Sequence, residues 1–204
     1  MADVRRAGPT TSVASDPPFA APLFQEWMGA AEAGERVIVL DIGPPRSANV
    51  AFFSSFRCRL GIGDALTDLV AINGVDGRGE AMERLQAILP ERLFGGTDLI
   101  LCWDLLDYLD ANAIRYLASH LRALVSPGAA LHAIVGYGVS SIPSSPVGYR
   151  LENEGFRRSA APTDDPGRKP PRHSSGELQR LMPDWRVERS VLLRSGFQEY
   201  MLRS

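Results

Sequence analysis

The sequence predicts an α/β fold: a doubly wound, mostly parallel sheet with a C-terminal antiparallel hairpin. Three observations carry this reading. Val37-Ile38-Val39-Leu40 and Leu99-Ile100-Leu101-Cys102 are unbroken apolar runs, as in strands buried on both faces, and acids follow them at Asp41 and Asp104. Segments of helical period alternate with such runs as far as Val135, which implies parallel pairing through right-handed crossovers. Near the end, Ser195-Gly196 separates two strand-like runs and reads as a hairpin turn.

The 204 residues fit one domain, and 45% hydrophobic content is enough for a full core. A net charge of -2 gives no basic footprint for nucleic acid. Lys169, the only lysine, lies in a Pro-rich loop, which removes a buried Schiff-base lysine. Cys58 and Cys102 are too few for a disulfide framework or a zinc site, so no metal site is expected. A reducing cytoplasm is the expected location. Residues 1–17, rich in Ala, Ser, Thr and Pro, read as a disordered tail without a signal peptide. No stretch reaches the length of a membrane span. Residues 18–204 are read as a single domain.

Leu23, Phe24, Trp27 and Met28 recur at helical spacing and predict a helix over about 20–33. It packs on the core or forms a lid. Strand one covers 37–42 and is followed by a short helix over about 46–56. Strand two covers about 57–63 and is closed by Asp64. Residues 65–78 are open between strand and helical turn, until Asn73-Gly74 and Asp76-Gly77 break the pattern. A helix is expected over 79–94. A strand ending at Asp104 follows, then a helix over 111–125 stopped by Ser126-Pro127-Gly128, then a strand over Ala129–Val135. The segment 138–173 is too rich in proline for a core helix and reads as a loop insertion, with a small hairpin around Asn153-Glu154-Gly155. Ser174 and Glu177 have the spacing of a capping box and open the last helix.

Val37–Gly43, the run Asp98–Leu109, the turn Ser126-Pro127-Gly128-Ala129-Ala130-Leu131 and the terminal hairpin together resemble the class I S-adenosylmethionine-dependent methyltransferases. The resemblance spans about residues 36–203. It implies a Rossmann-like sheet of seven strands with the last antiparallel, and S-adenosylmethionine as cofactor. It places Asp41 at the methionine end of the cofactor and matches Gly43 to the first loop glycine. Pro45 and Ser47 stand where the second and third glycines would be. Asp64 lies one place beyond the expected ribose-binding acid, and the acid after strand three has no match. Trp103 and Asp104 complete the implied cofactor wall.

Each of these residues also has a structural role open to it. Asp41, Asp64 and Asp104 could cap turns, and Trp103 could be core rather than a stacking surface. His132 reads as a core histidine, though near enough to the sheet end to be a base; His120 reads as a surface residue; His173 reads as a loop residue that could swing in as a general base. Tyr137 could contact substrate. Arg46 could hold a carboxylate or sit solvated at a helix start. Pro45 should stiffen the first loop, deprive it of donors and bring it toward the space for the cofactor's methionine end. No catalytic residue is assigned.

Two functions are expected from this sequence. The first is methyl transfer from S-adenosylmethionine to a small-molecule or protein acceptor. The second is a non-catalytic binding or regulatory module on the same fold.

Overall fold

The computed structural model describes residues 18–32, 36–152 and 155–204. The expected N-terminal tail, 1–17, lies outside the described residues. Five parallel or antiparallel pairings build the main sheet from β2 (Val37–Asp41), β3 (Cys58–Ile62), β4 (Thr97–Trp103), β5 (Val125–Gly136), β8 (Arg186–Leu192) and β9 (Phe197–Arg203). Their order is β3-β2-β4-β5-β9-β8. β2, β3, β4 and β5 pair in parallel; β9 is antiparallel to both β5 and β8. The parallel strands and the inserted antiparallel strand match the sequence expectation. The chain order places the carboxyl ends of β2 and β4 side by side, with the switch in winding between them.

The expected seventh strand is not part of this sheet, which has six. The open segment 65–78 instead forms α3 (Leu66–Val70) and a turn through Gly74 at φ +73°. Its buried residues, Leu66, Leu69 and Ile72, recur every third position. That period buries one face of a helical turn, whereas a strand would need alternation. This also explains why no acid after a third strand could be placed: the strand does not form.

The predicted helix over 79–94 divides into α4 (Arg78–Ile88) and α5 (Glu91–Phe94). Pro90 lies between them; it lacks an N–H and fixes its own φ, so the hydrogen-bond ladder stops there. The helices α2 (Ser47–Ser54), α6 (Ala111–Leu124) and α7 (Ser175–Leu181) stand close to their expected places. Asp110 caps α6 through Asn112 and Ala113, and Ser174 caps α7 through Glu177 N.

Side chains alternate between the sheet's two faces with the period of a strand. Leu40, Ile42, Ile100 and Cys102 enter the core beneath α3, α4, α6 and α7. Val39, Leu99, Leu101 and Trp103 enter the opposite core. That second core is covered by α1 (Pro22–Glu32) and by a separate three-stranded sheet of β1 (Phe19–Ala20), β7 (Gly155–Arg158) and β6 (Tyr149–Glu152). The hairpin expected in the Pro-rich segment is therefore present. It is packed core rather than a surface excursion: Phe156 is 0% exposed and Leu151 3%.

Helix α1 is fixed by a carboxylate from the far end of the chain. Glu199 on β9 is fully buried and accepts from Leu23 N and Phe24 N in the first turn of α1. Those N–H groups have no partner inside their own helix, and the carboxylate meets the positive end of its dipole. His132 Nε2 donates to the same carboxylate at 2.9 Å. His132 is thus the core histidine the sequence suggested. Helix α1 is a packed element, not a lid. Glu199→Ala should cost about 3–5 kcal/mol, since it strips a buried charge from three donors at once; urea unfolding with an unchanged m-value checks this.

Candidate functional site

The carboxyl ends of β2 and β4 bring together most of the residues singled out in the sequence. Register pairs Asp41 with Leu101 across the parallel ladder. Trp103 is two residues further on the same face, so its indole falls over the end of β2. Trp103 Nε1 donates to Asp41 Oδ1 at 2.6 Å. Gly43 N donates to the same oxygen at 2.9 Å, and Asn49 Nδ2 donates to Asp41 Oδ2 at 2.9 Å. The carboxylate is 1% exposed. Burial raises its pKa, against the lowering effect of these three hydrogen bonds and of the Arg46 charge.

Gly43 is explained by this indole. A Cβ there would lie 2.9 Å from Trp103 Nε1 and 3.0 Å from Asp41 Oδ1. The position needs glycine for the protein's own side chain to approach. Trp103 sits at φ +52°, a left-handed conformation costly for a bulky residue, beside a register shift between β4 and β5. Its hydrogen bond to Asp41 and its ring packing hold it there.

That packing comes from the hairpin. Tyr149 stacks on Trp103 with ring planes 4° apart and centroids at 5.2 Å. Phe156 meets the indole edge-on at 5.1 Å. Tyr149 OH donates to Asp104 Oδ2 at 2.9 Å. Asn49 joins the same assembly: Nδ2 also donates to Tyr149 O at 3.2 Å, and Oδ1 accepts from Leu151 N at 2.9 Å. One amide therefore ties the first loop's helix, the strand-end acid and the hairpin together.

The first loop closes against the segment before the hairpin. Gly148 takes φ +76°, and a Cβ on it would lie 2.8 Å from Pro44 Cγ. Arg46 Nη2 donates to Val147 O at 3.2 Å. The half-buried arginine thus binds backbone rather than standing solvated at a helix start. Pro45 itself points to solvent.

Asp64 stays apart from this cluster. It is exposed, at φ +47°, with its N–H donated to Gly43 O at 3.2 Å. Aspartate tolerates that left-handed conformation better than most residues. Of the five residues assigned to the cofactor, Asp41, Gly43, Trp103 and Asp104 are buried together and Asp64 stands on the rim. The chain's own indole and amide bond the Asp41 carboxylate, and the Tyr149 ring covers the indole.

Beside the cluster, Asp104 and Asp107 are fully buried. Burial pushes Asp104 up to about 6, moderated by the Tyr149 hydroxyl and the Arg158 charge. Burial pushes Asp107 up to about 7, although it accepts from Gly136 N at 2.7 Å. Asp104 does not cap the following turn with its side chain, the role open to it in the sequence.

Two histidines differ from their expected settings. His120 is buried at 2% exposure, where Nε2 donates to Leu89 O at 2.8 Å, and burial lowers its pKa. His173 is buried too and donates to Leu106 O at 3.2 Å, so it is a fixed strut. Tyr137 is 42% exposed. Sequence reasoning missed Asn49 and Tyr149. Asn49 leaves one trace, a lone amide in the apolar run Ala48–Phe53; Tyr149 leaves none.

No family model matches the sequence, and a search of curated proteins finds no match. Solved structures match at low identity. The pyocyanin biosynthetic protein PhzM is 16% identical at a TM-score of 0.45; the alignment covers 83% of this chain and 50% of that one, so the chain spans half its length. The 1,6-didemethyltoxoflavin-N1-methyltransferase of Burkholderia thailandensis, with S-adenosylhomocysteine bound, is 15% identical at 0.48, covering 90% and 76%. A SAM-dependent methyltransferase from Aquifex aeolicus is 14% identical at 0.47, covering 88% of each chain. The likeness is one of fold. The chain itself has an α/β fold with a mostly parallel six-stranded sheet that ends in an antiparallel hairpin. Among the described residues, no helix is long and apolar enough to cross a membrane, and no group of acids, histidines and cysteines is placed to hold a metal.

Two outcomes follow from this geometry. Asn49→Ala removes three hydrogen bonds and leaves Leu151 N buried, so it should destabilise by about 2–4 kcal/mol; thermal and urea unfolding measure it. Asp104 and Asp107 have folded pKa values raised above the unfolded carboxylate value of 3.8. The stability they contribute is present below about pH 4 and is lost as pH rises through about 6 and 7. Asp107→Asn should flatten the fall in stability between pH 4 and 7, read from urea midpoints across that range.

Proposed function

We propose that this protein is a non-catalytic module built on the methyltransferase fold, serving binding or regulation. The observation that carries this reading is the Trp103–Tyr149 stack over Asp41, locked by Asn49 and Asp104. A lid would have to leave cheaply, and this hairpin cannot. Exposing Tyr149, Leu151 and Phe156 costs about 1.5–3 kcal/mol each, or on the order of 6 kcal/mol before any hydrogen bond is counted. Every 1.4 kcal/mol is about a factor of ten in affinity. Opening would therefore weaken cofactor binding by about four powers of ten, and a micromolar intrinsic site would become too weak to be useful.

The second reading is methyl transfer from S-adenosylmethionine to a small-molecule or protein acceptor. It is favoured by the retention of Asp41, Gly43 and the Trp103–Asp104 strand end, with Asp64 exposed on the rim. Such transfer depends chiefly on positioning and desolvation, so it needs no triad.

Calorimetry separates the two. The unmodified protein should give no binding heat with S-adenosylmethionine or its demethylated product at millimolar concentration. A micromolar dissociation constant for either would sink the non-catalytic reading. Asp41→Ala should then weaken that binding by about 1–3 kcal/mol, as loss of a charged hydrogen-bond partner does.

A further inference from the structure

A cavity lies at the opposite end of the sheet. Val37 opens β2 there, Asp98 stands near the start of β4, and Arg203 closes the antiparallel β9. It is about 13 Å along β2 from Asp41, at the rise of an extended strand. Its volume is about 490 Å³, within the range of small-molecule sites.

One wall is helix α1, with Leu23 and Trp27; Met201 of β9 faces it as apolar lining. Trp27 is half-buried, whereas Trp103 and Trp185 are both 0% exposed. It is the tryptophan whose ring is available to a ligand.

The charges in the cleft are nearly all taken. Arg189 pairs with Glu26, and Arg203 pairs with Glu188 at 2.8 Å. The carboxylate of Asp98 accepts from Ile38 N at 2.8 Å. Arg36 differs: among the described residues it has no hydrogen-bond or ion-pair partner, and it is an exposed residue of the cleft's lining. A guanidinium presents a planar fork of donors suited to a carboxylate. The three acids lining the cleft disfavour a ligand with several negative charges. They leave room for one anionic group at Arg36 and an uncharged body along Trp27.

We propose that this cleft binds a small monocarboxylate carried on a flat aromatic body. The carboxylate pairs with Arg36, and the ring lies against Trp27 and the apolar wall. The site is separate from the strand-end crevice and needs no opening of the hairpin.

Calorimetry on the full chain tests this with 2-naphthoate, 2-naphthylmethanol and acetate. The naphthoate should bind in the micromolar to millimolar range. The alcohol, which lacks the charge, and acetate, which lacks the ring, should each bind at least about tenfold more weakly. Arg36→Ala should weaken naphthoate binding about tenfold or more, while Arg36→Lys, which keeps the charge but loses the fork, should fall between. Arg36 is exposed and unpaired, so its variants should keep the native unfolding midpoint, which controls for damage to the fold. Equal affinity of Arg36→Ala and the unmodified protein overturns the assignment. So does equal binding of the alcohol and the acid, or absence of heat with millimolar naphthoate.

Discussion

The buried carboxylate of Asp41 is the constraint on which the upper half of the molecule depends. A charge removed from water must find donors or be neutralised. Here a backbone N–H, an indole and an amide converge on it. Each donor fixes something larger. Gly43 sets the course of the first loop, Trp103 bends the end of β4 into a left-handed residue, and Asn49 holds the β6–β7 hairpin. The carboxylate is the centre of an internal network. Such networks define a single packing when every member is satisfied.

A second carboxylate does comparable work in the same core. Glu199 ties β9 to the first turn of α1 and to His132. Phe24 and Phe156 then pack together at 5.1 Å, which joins α1 to the hairpin. The face of the sheet that carries Trp103 is thus roofed by two elements from distant parts of the chain. Burial of their aromatic rings, more than any hydrogen bond, sets the cost of lifting that roof.

The opposite end of the sheet is organised by different physics. There, ion pairs are exposed, screened by salt and individually weak. They neutralise most of the cleft without filling it. The two ends of one mostly parallel sheet therefore offer different things: a closed polar core at the carboxyl ends, and at the amino ends an open cleft whose Arg36 has no ion-pair partner among the described residues.

The sequence by itself determined the layer order and most of the elements. Unbroken apolar runs of four residues mark a strand buried on both faces, and helical spacing buries one face of a helix; both signals are local. It located the strand-end residues Asp41, Gly43, Trp103 and Asp104 on the same ground. The missing edge strand was open in the sequence, because Leu66, Leu69 and Ile72 fit a helical turn only once there is a core for them to face. Pairing between residues far apart in the chain was decided by the tertiary structure. Asn49 meets Leu151, and Tyr149 meets Trp103, through contacts for which no periodicity exists. His120 and His173 were buried by neighbours brought in from elsewhere in the chain. Burial is a property of the assembled core, and whether an acid at a strand end meets a ligand or the protein's own side chains depends on what folds over it.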